Sequence, residues 1–433
     1  MRYRAIVIIT MLSAVLFLIG AGDKPKFETF TIVYTGAAFG KLQPCACSEE
    51  SDVGGLLRRD TMLMRLRDSA RGAIVVDAGG SFGEPTAQGR MGAEAYLDAL
   101  RALKYDAVAL AAGDLLFGRR FLEENSDNGL FVSNARFKQD STFAGRTLVF
   151  PGKRNRLRFV ALVDPEKVYT GSQSNLVVEA PLTYLDKAVE KEDLVVVLAS
   201  VEPETARHWL VHPNVDVVVN AVPDDNVLRE AMFEFADEKV YTETGVFGSL
   251  VGVLSLRVID GALVGAEIKQ HTLDKTVPDG VRAKQFFERY QAETKRLFLQ
   301  SLSGMPAYER EASPFVGNEG CRSCHAESFA AWDASAHAHA WASLKRVDTH
   351  FDSECIACHV VGWNEPNGFR SEKDTPHLLN VGCEACHGPG KAHAKQPAAN
   401  PIARGDLQLC YKCHTDERAP AFKSEIGWKK IKH

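Results

Sequence analysis

The pattern Cys-X-X-Cys-His occurs four times towards the end of this chain. It appears as Cys321, Cys324 and His325; Cys355, Cys358 and His359; Cys383, Cys386 and His387; and Cys410, Cys413 and His414. Two such cysteine pairs would supply the four thiolates of a tetrahedral zinc site, but zinc has no use for a histidine directly after the second cysteine. A covalently attached c-type haem does: the thiols form thioethers to the porphyrin vinyl groups, and the adjacent imidazole becomes the proximal iron ligand. Four repeats therefore predict four haems.

The chain has 10 cysteines; with the motif pairs set aside, only Cys45 and Cys47 remain, too few for a disulfide framework or a four-thiolate zinc site. Of its 13 histidines, all but His208, His212 and His271 follow Ser313. Beyond the four proximal ones this leaves His337, His339, His350, His377, His393 and His433 as candidates for the sixth iron position. No methionine follows Met305, so methionine-ligated haem is excluded from this segment, and the sixth ligand is histidine, water or nothing.

Arg2 and Arg4 precede an apolar run from Ala5 to Ile19, closed by Gly20, Ala21 and Gly22. Residues 1–22 read as a secretory signal peptide. The run falls short of the roughly 20 apolar residues that span a bilayer, so the membrane is a partner only if this segment stays uncleaved. Export agrees with c-type haem, and the expected location is periplasmic or otherwise exported. The formal net charge is −5, without a basic stripe for nucleic acid. Haem propionates would make the C-terminal segment acidic, which suits other redox proteins or cytochromes as partners.

Between Phe27 and about Thr272, short β-branched runs ("FTIVYT", "GAIVVDAG", "DAVALAAGD", "LVVVLAS", "VDVVVNA") alternate with helical patterns such as "GGLLRRDTMLMRLRDSA" and "GAEAYLDALRAL". This predicts an α/β layered domain over residues 23–275. "LVGVLSLRVID" and "ALVGAEIKQHT" form a hairpin turning at Asp260 and Gly261. A helix and linker, 276–312, lead into a segment, 313–433, in which aliphatic strands give way to glycine, alanine, histidine and tryptophan. At about thirty residues per haem such a segment cannot build an ordinary apolar core, so the porphyrins must serve as one.

The stretches "CRSCHAESFAAWDASAHAHAWASL", "SECIACHVVGWNEPNGF", "VGCEACHGPGKAHA" and "CYKCHTDERAPAFKSEIGWKKIKH" resemble the tetrahaem cytochrome c-554 family. That resemblance implies a small, mainly α and loop-rich electron carrier with bis-histidine iron, and selects His337 and His393 as distal ligands. It also points to His433, which follows a similar aromatic and lysine-rich stretch. Phe422, Ile426, Trp428 and Ile431 would dock this tail. His337 and His339 project about 200° apart on a helix and cannot face one haem together. His339, His350 and His377 remain weaker distal candidates.

"FTIVYTGAAFGKLQP", "VGGLLRRDTML", "IVVDAGGSFGEPT" and "YDAVALAAGDLLFG" resemble the 5'-nucleotidase family of exported metallophosphatases. The resemblance implies a metallophosphatase-like sandwich and keeps Gly54, Gly55 and Asp77. It departs at the metal ligands: Ala37 and Phe39 stand where the family has aspartate and histidine, Gly80 where it has the bridging aspartate. Ala112 and Gly113 replace an asparagine–histidine pair, and Val201, Ala221 and Pro223 the remaining histidines. A two-metal phosphoesterase needs such ligands to hold its cations. The scaffold is therefore expected to be catalytically silent, with no catalytic residues.

Cys45 and Cys47 lie in the loop after the first strand. They are open to a disulfide, to two free thiols, or to an additional metal or redox site. The expectation is an exported electron carrier with four haems and a phosphatase-like domain kept for docking or assembly. Two enzyme readings compete with it: a haem redox enzyme acting on a small nitrogen species at an open iron, and a phosphoester hydrolase with an unorthodox metal site.

Overall fold

The computed structural model describes residues 27–139, 141–168, 175–188, 193–223 and 231–433. The apolar run read as a signal peptide lies outside them. Two six-stranded sheets face each other. The first runs in spatial order Ala262–Thr272, Leu250–Ile259, Glu28–Thr35, Ile74–Asp77, Ala107–Ala109 and Leu130–Phe131. The second runs Phe233–Ala236, Lys239–Glu243, Val217–Asn220, Leu194–Ala199, Arg156–Leu162 and Leu148–Pro151.

The central strands pair in parallel and are buried on both faces, which is why they read as unbroken apolar runs rather than alternating ones. Ile32, Tyr34, Val76 and Ala109 of one sheet meet Phe159, Ala161, Val196, Leu198 and Val219 of the other in the inter-sheet core. Helices Leu56–Ser69 and Ala87–Ala102 cover the first sheet; Pro181–Ala188 and Pro203–Leu210 cover the second. The result is a four-layer α/β/β/α sandwich. The hairpin turns where expected, with Asp260 at φ 47° and Gly261 at φ 85°, as a two-residue turn matched to strand twist demands.

The retained Gly54–Gly55 pair has a steric reason. Both adopt positive φ, 86° and 94°, and a Cβ at Gly54 would lie 2.6 Å from the Phe247 carbonyl oxygen. Only glycine lets the chain pass this close before entering the helix.

Helix Lys284–Ser303 joins the two halves and packs into both. Phe287 is buried in the core beneath the first sheet. Phe298 belongs to a second cluster with Phe315, Trp341, Leu344, Ile356, Val360, Val361, Phe369 and Leu378. Beyond Leu378 no apolar side chain among the described residues is buried. The C-terminal segment is a set of short helices and loops, with the isolated bridge Val360–Leu379 as its β-structure.

The halves also meet through polar contacts. Lys41, in the loop after the first strand, bonds Glu354 at 3.0 Å and Glu417 at 2.9 Å. Burial opposes its charge, yet the two carboxylates hold it above the usual lysine range. Gln88 donates to Asp352 at 2.9 Å and accepts from Ser353 at 2.9 Å.

Candidate functional site

Three of the four motifs begin in or run along a short helix: Asn318–Arg322, Ser353–His359 and Cys383–His387; the fourth begins within the 3-10 turn Leu407–Lys412. On such a turn cysteines three apart share a face and the next residue continues it. All eight motif cysteines are outside any disulfide. Among the described residues no three His, Cys, Asp or Glu side chains gather round a point fit for a bare ion, so the pairs do not converge as a zinc site requires.

The motif histidines do find partners. Ring centres of His325 and His393 lie 6.2 Å apart, those of His337 and His414 6.3 Å, and those of His387 and His433 6.0 Å. Two imidazoles bound to opposite sides of one metal at ~2 Å each have centres ~6 Å apart. Each pair joins one motif histidine to one of the three distal candidates favoured by the sequence. Several rings are fixed from behind: His387 donates Nδ1–H to the Ala403 carbonyl at 2.8 Å, His393 to Asn400 at 2.9 Å and His433 to Ile431 at 3.0 Å. This tautomer leaves the Nε2 lone pair free as a ligand.

His359 is different. Its Nδ1 bonds the Ala340 carbonyl at 2.6 Å, but no histidine among the described residues faces it as the others are faced. His339 is exposed. His350 lies on Phe351, with ring centres 3.8 Å apart, and His377 pairs its Nε2 with the Tyr308 hydroxyl at 3.1 Å. Burial holds both of these imidazoles below the usual histidine range. None of the three is brought to a motif imidazole.

The motifs are also placed against one another. Cys321 lies against Cys383, and Cys413 against Cys358. Cys386 lies within electrostatic reach of Cys410 and Cys413. The resulting order in space is first, third, fourth, second. Glu384, inside the third motif and buried, clamps the first to it: its carboxylate accepts from the amides of Val316 at 2.9 Å, Gly317 at 2.8 Å and Gly390 at 2.7 Å. Asn318 adds a bond to the Cys383 amide at 2.9 Å. At the tail, Phe422 stacks on His414 with centres 4.1 Å apart, and Trp428 reaches Gly405. Ile426 is 55% exposed and is not an anchor.

The crevice of the sandwich is filled by protein. Asp77 accepts from Thr35 at 2.8 Å, Ser81 at 2.7 Å, Tyr96 at 2.8 Å and the Gly79 amide at 3.1 Å. Its charge is met by the Arg59 guanidinium at 3.7 Å, both side chains being almost wholly buried. Burial opposes the Arg59 charge, but Tyr96, Tyr105 and Asp77 raise its pKa above the usual arginine value. Asp114 is spent on the amides of Gly80, Phe82 and Ala111 at 2.8 to 2.9 Å; desolvation nonetheless pushes its pKa up to about 6. The Phe39 ring lies over Gly80 and the Ala221 methyl against Gly36. Arg59 was missed in the sequence. Its one signal is position, on the buried stripe Leu56, Arg59, Met62, Leu63, Leu66 of its helix.

Residues 320–388 match the family model for cytochrome c554 and c-prime. The C-terminal segment thus carries a cytochrome c554 likeness. Cytochrome c-554 from Nitrosomonas europaea is 37% identical, the match covering 18% of this chain and 40% of that protein. The chain therefore spans well under half of that relative. The larger part is similar in fold to a 5'-nucleotidase precursor from Thermus thermophilus, with TM-score 0.52, 18% identity, and 68% of this chain and 65% of that chain covered. It is similar also to the sulfate thiohydrolase SoxB from the same organism, with TM-score 0.52, 13% identity and coverage of 63% and 62%. NAD nucleotidase from Haemophilus influenzae gives TM-score 0.51, 13% identity and coverage of 63% and 61%. At such identities the likeness concerns fold alone: a metallophosphatase-like α/β sandwich followed by a helical, loop-rich cytochrome segment.

Proposed function

We propose that this chain is an exported electron carrier that binds four c-type haems in residues 313–433, its domain of residues 23–275 serving to dock and assemble that segment. The observation that carries the reading is the set of three histidine pairs at 6.0 to 6.3 Å, each containing one motif histidine. Bound haem supplies one-electron exchange at iron. The chain would hold it through thioethers from Cys321 and Cys324, Cys355 and Cys358, Cys383 and Cys386, and Cys410 and Cys413. His325, His359, His387 and His414 would be proximal ligands, with His393, His433 and His337 opposite the first, third and fourth. The backbone bonds to Nδ1 orient the rings and raise their basicity, and the Glu384 and Asn318 bonds tie the first and third sites together. The lack of buried apolar side chains beyond Leu378 agrees with porphyrin as the core there.

The His359 site supports a second reading, in which the second haem keeps a face open to a small ligand, including a small nitrogen species. A hydrolase is not favoured, since Asp77 and Asp114 are fully engaged by protein donors. The test is a haem count by alkaline pyridine spectrum with mass spectrometry, followed by magnetic resonance of the ferric protein. Four haems, three low-spin and one high-spin, are expected. Fewer than four haems, or four high-spin irons, would defeat the assignment.

A further inference from the structure

We propose that the Cys45–Cys47 disulfide is a second redox centre, exchanging two electrons with the haem-binding segment it lies beside; this rests on the haem sites proposed above. The pair is bonded across a sequence separation of 2. A cross-link stabilises a fold by restricting the unfolded chain, and the effect shrinks with the loop enclosed, so one this short is a poor staple. The loop is held by other means: Lys41 and Leu56 donate backbone bonds to Ala38 and Leu42, and Ser48 and Ser51 close a turn of their own.

Exposure points the same way. Both cysteines are solvent-exposed, and exposed disulfides are the more oxidising and more readily exchanged ones, whereas structural disulfides resist reduction. Placement supplies the partner. Lys41, at the root of this loop, bonds Glu354 and Glu417. Glu354 directly precedes Cys355 of the second motif, and Glu417 follows His414 of the fourth. Cys45 and Glu417 line one small cleft together with Lys41, Gln43 and Phe247. These two motifs are themselves adjacent, Cys413 lying against Cys358. The sulfur pair of the first domain thus sits beside the two motifs nearest the domain junction.

The reaction balances within the molecule and solvent. The S–S bond would break on taking up two electrons, one from each of two bound ferrous haems left ferric, and each sulfur would take a proton from water to give two thiols. The reverse returns two electrons and releases two protons. The site stores a pair of electrons that haems pass singly.

The experiment poises the holoprotein anaerobically with redox mediators, reads haem reduction by absorbance, counts electrons by coulometry, and alkylates thiols for mass spectrometry. Two electrons beyond the haem count and two alkylated thiols, at Cys45 and Cys47, are expected. The Cys45→Ser, Cys47→Ser double variant should keep the haem spectrum and take up only the haem electrons. A peptide spanning residues 43–49 with the same disulfide, poised alongside, should be reduced at least tenfold more slowly. Fully reduced haems with the disulfide intact, or a peptide reduced as fast as the protein, would overturn the proposal. Absence of haem absorbance would instead overturn the haem assignment beneath it, which the thiol count reads separately.

Discussion

Replacing Arg59 with methionine should unfold the sandwich domain at markedly lower temperature. Arg59 and Asp77 are both almost wholly buried and 3.7 Å apart, and Met fills much of the same volume without the charge. The variant leaves the Asp77 carboxylate in the interior with four hydrogen bonds but no counter-charge. Removing one partner of a buried pair typically costs ~3–5 kcal/mol, because the remaining charge is stranded. The bonds from Thr35, Ser81, Tyr96 and Gly79 soften this, so the lower figure, about 3 kcal/mol, is the better expectation. In a domain of this size about 1 kcal/mol moves Tm by ~2–4 °C, which puts the shift near ~10 °C. The assay is unfolding by heat and urea, followed by far-UV circular dichroism away from the haem bands. The Arg59→Met, Asp77→Asn double variant should recover part of the loss, since it removes the stranded charge as well. A single variant within about 1 kcal/mol of wild type, or a double variant whose losses simply add, would refute the idea that Arg59 occupies a cation's electrostatic role.

His393→Ala, His433→Ala and His337→Ala should each turn one haem high-spin in the magnetic resonance spectrum of the ferric protein, whereas His339→Ala and His377→Ala should leave the ligation unchanged. Redox titration should show overlapping waves at potentials below those of methionine-ligated cytochromes c; a single high-potential wave would contradict histidine ligation. Added manganese, cobalt, zinc or calcium should elicit no hydrolysis of nucleotides or aryl phosphates above background, and turnover that disappears on changing Asp77 would overturn the silent-scaffold reading. Asp114 has its pKa raised by burial from 3.8 to about 6, so the folded state holds its proton more tightly than the unfolded state. Its contribution is therefore present below pH ~4 and is lost as pH rises through about 6, by up to ~3 kcal/mol at ~1.4 kcal/mol per pH unit. Urea unfolding between pH ~4 and ~7 should show this loss in wild type and a flatter profile in Asp114→Asn.

Local patterns were legible where a residue's neighbours in sequence are also its neighbours in space. The apolar runs at Ile74–Asp77 and Leu194–Ala199 announce strands buried on both faces, and Asp260–Gly261 announces its turn, because each rule acts within a few residues. The CxxCH motifs are of the same kind. Which histidine faces which motif is not, since His325 meets His393 and His387 meets His433 through loops whose course no periodicity encodes. His337 could be preferred over His339 only by resemblance; the fold adds that His337 is half-buried near His414 while His339 is exposed. Arg59 and Glu384 were missed because a charged residue on a helix ordinarily faces water, and only the assembled fold shows the carboxylate and the amides that receive them. The segment read as helix and linker is a packed element, its Phe287 and Phe298 buried in separate clusters.

That shared helix also gives the two halves an order of assembly. Synthesis delivers the N-terminal strands first, and domains generally fold as they become available. Once Phe286, Phe287 and Tyr290 have closed on the first core, the second half of Lys284–Ser303 projects Phe298 and Leu302 from a finished surface before residues 313–433 have arrived. The later segment, which buries no apolar side chain beyond Leu378, thus meets a ready-made nucleus. Phe315, Trp341 and Phe369 can gather on it, bringing the first two cysteine pairs near a fixed platform. The sandwich would act here as a template for maturation, and its value to the chain would lie in the minutes after synthesis as much as in the finished molecule.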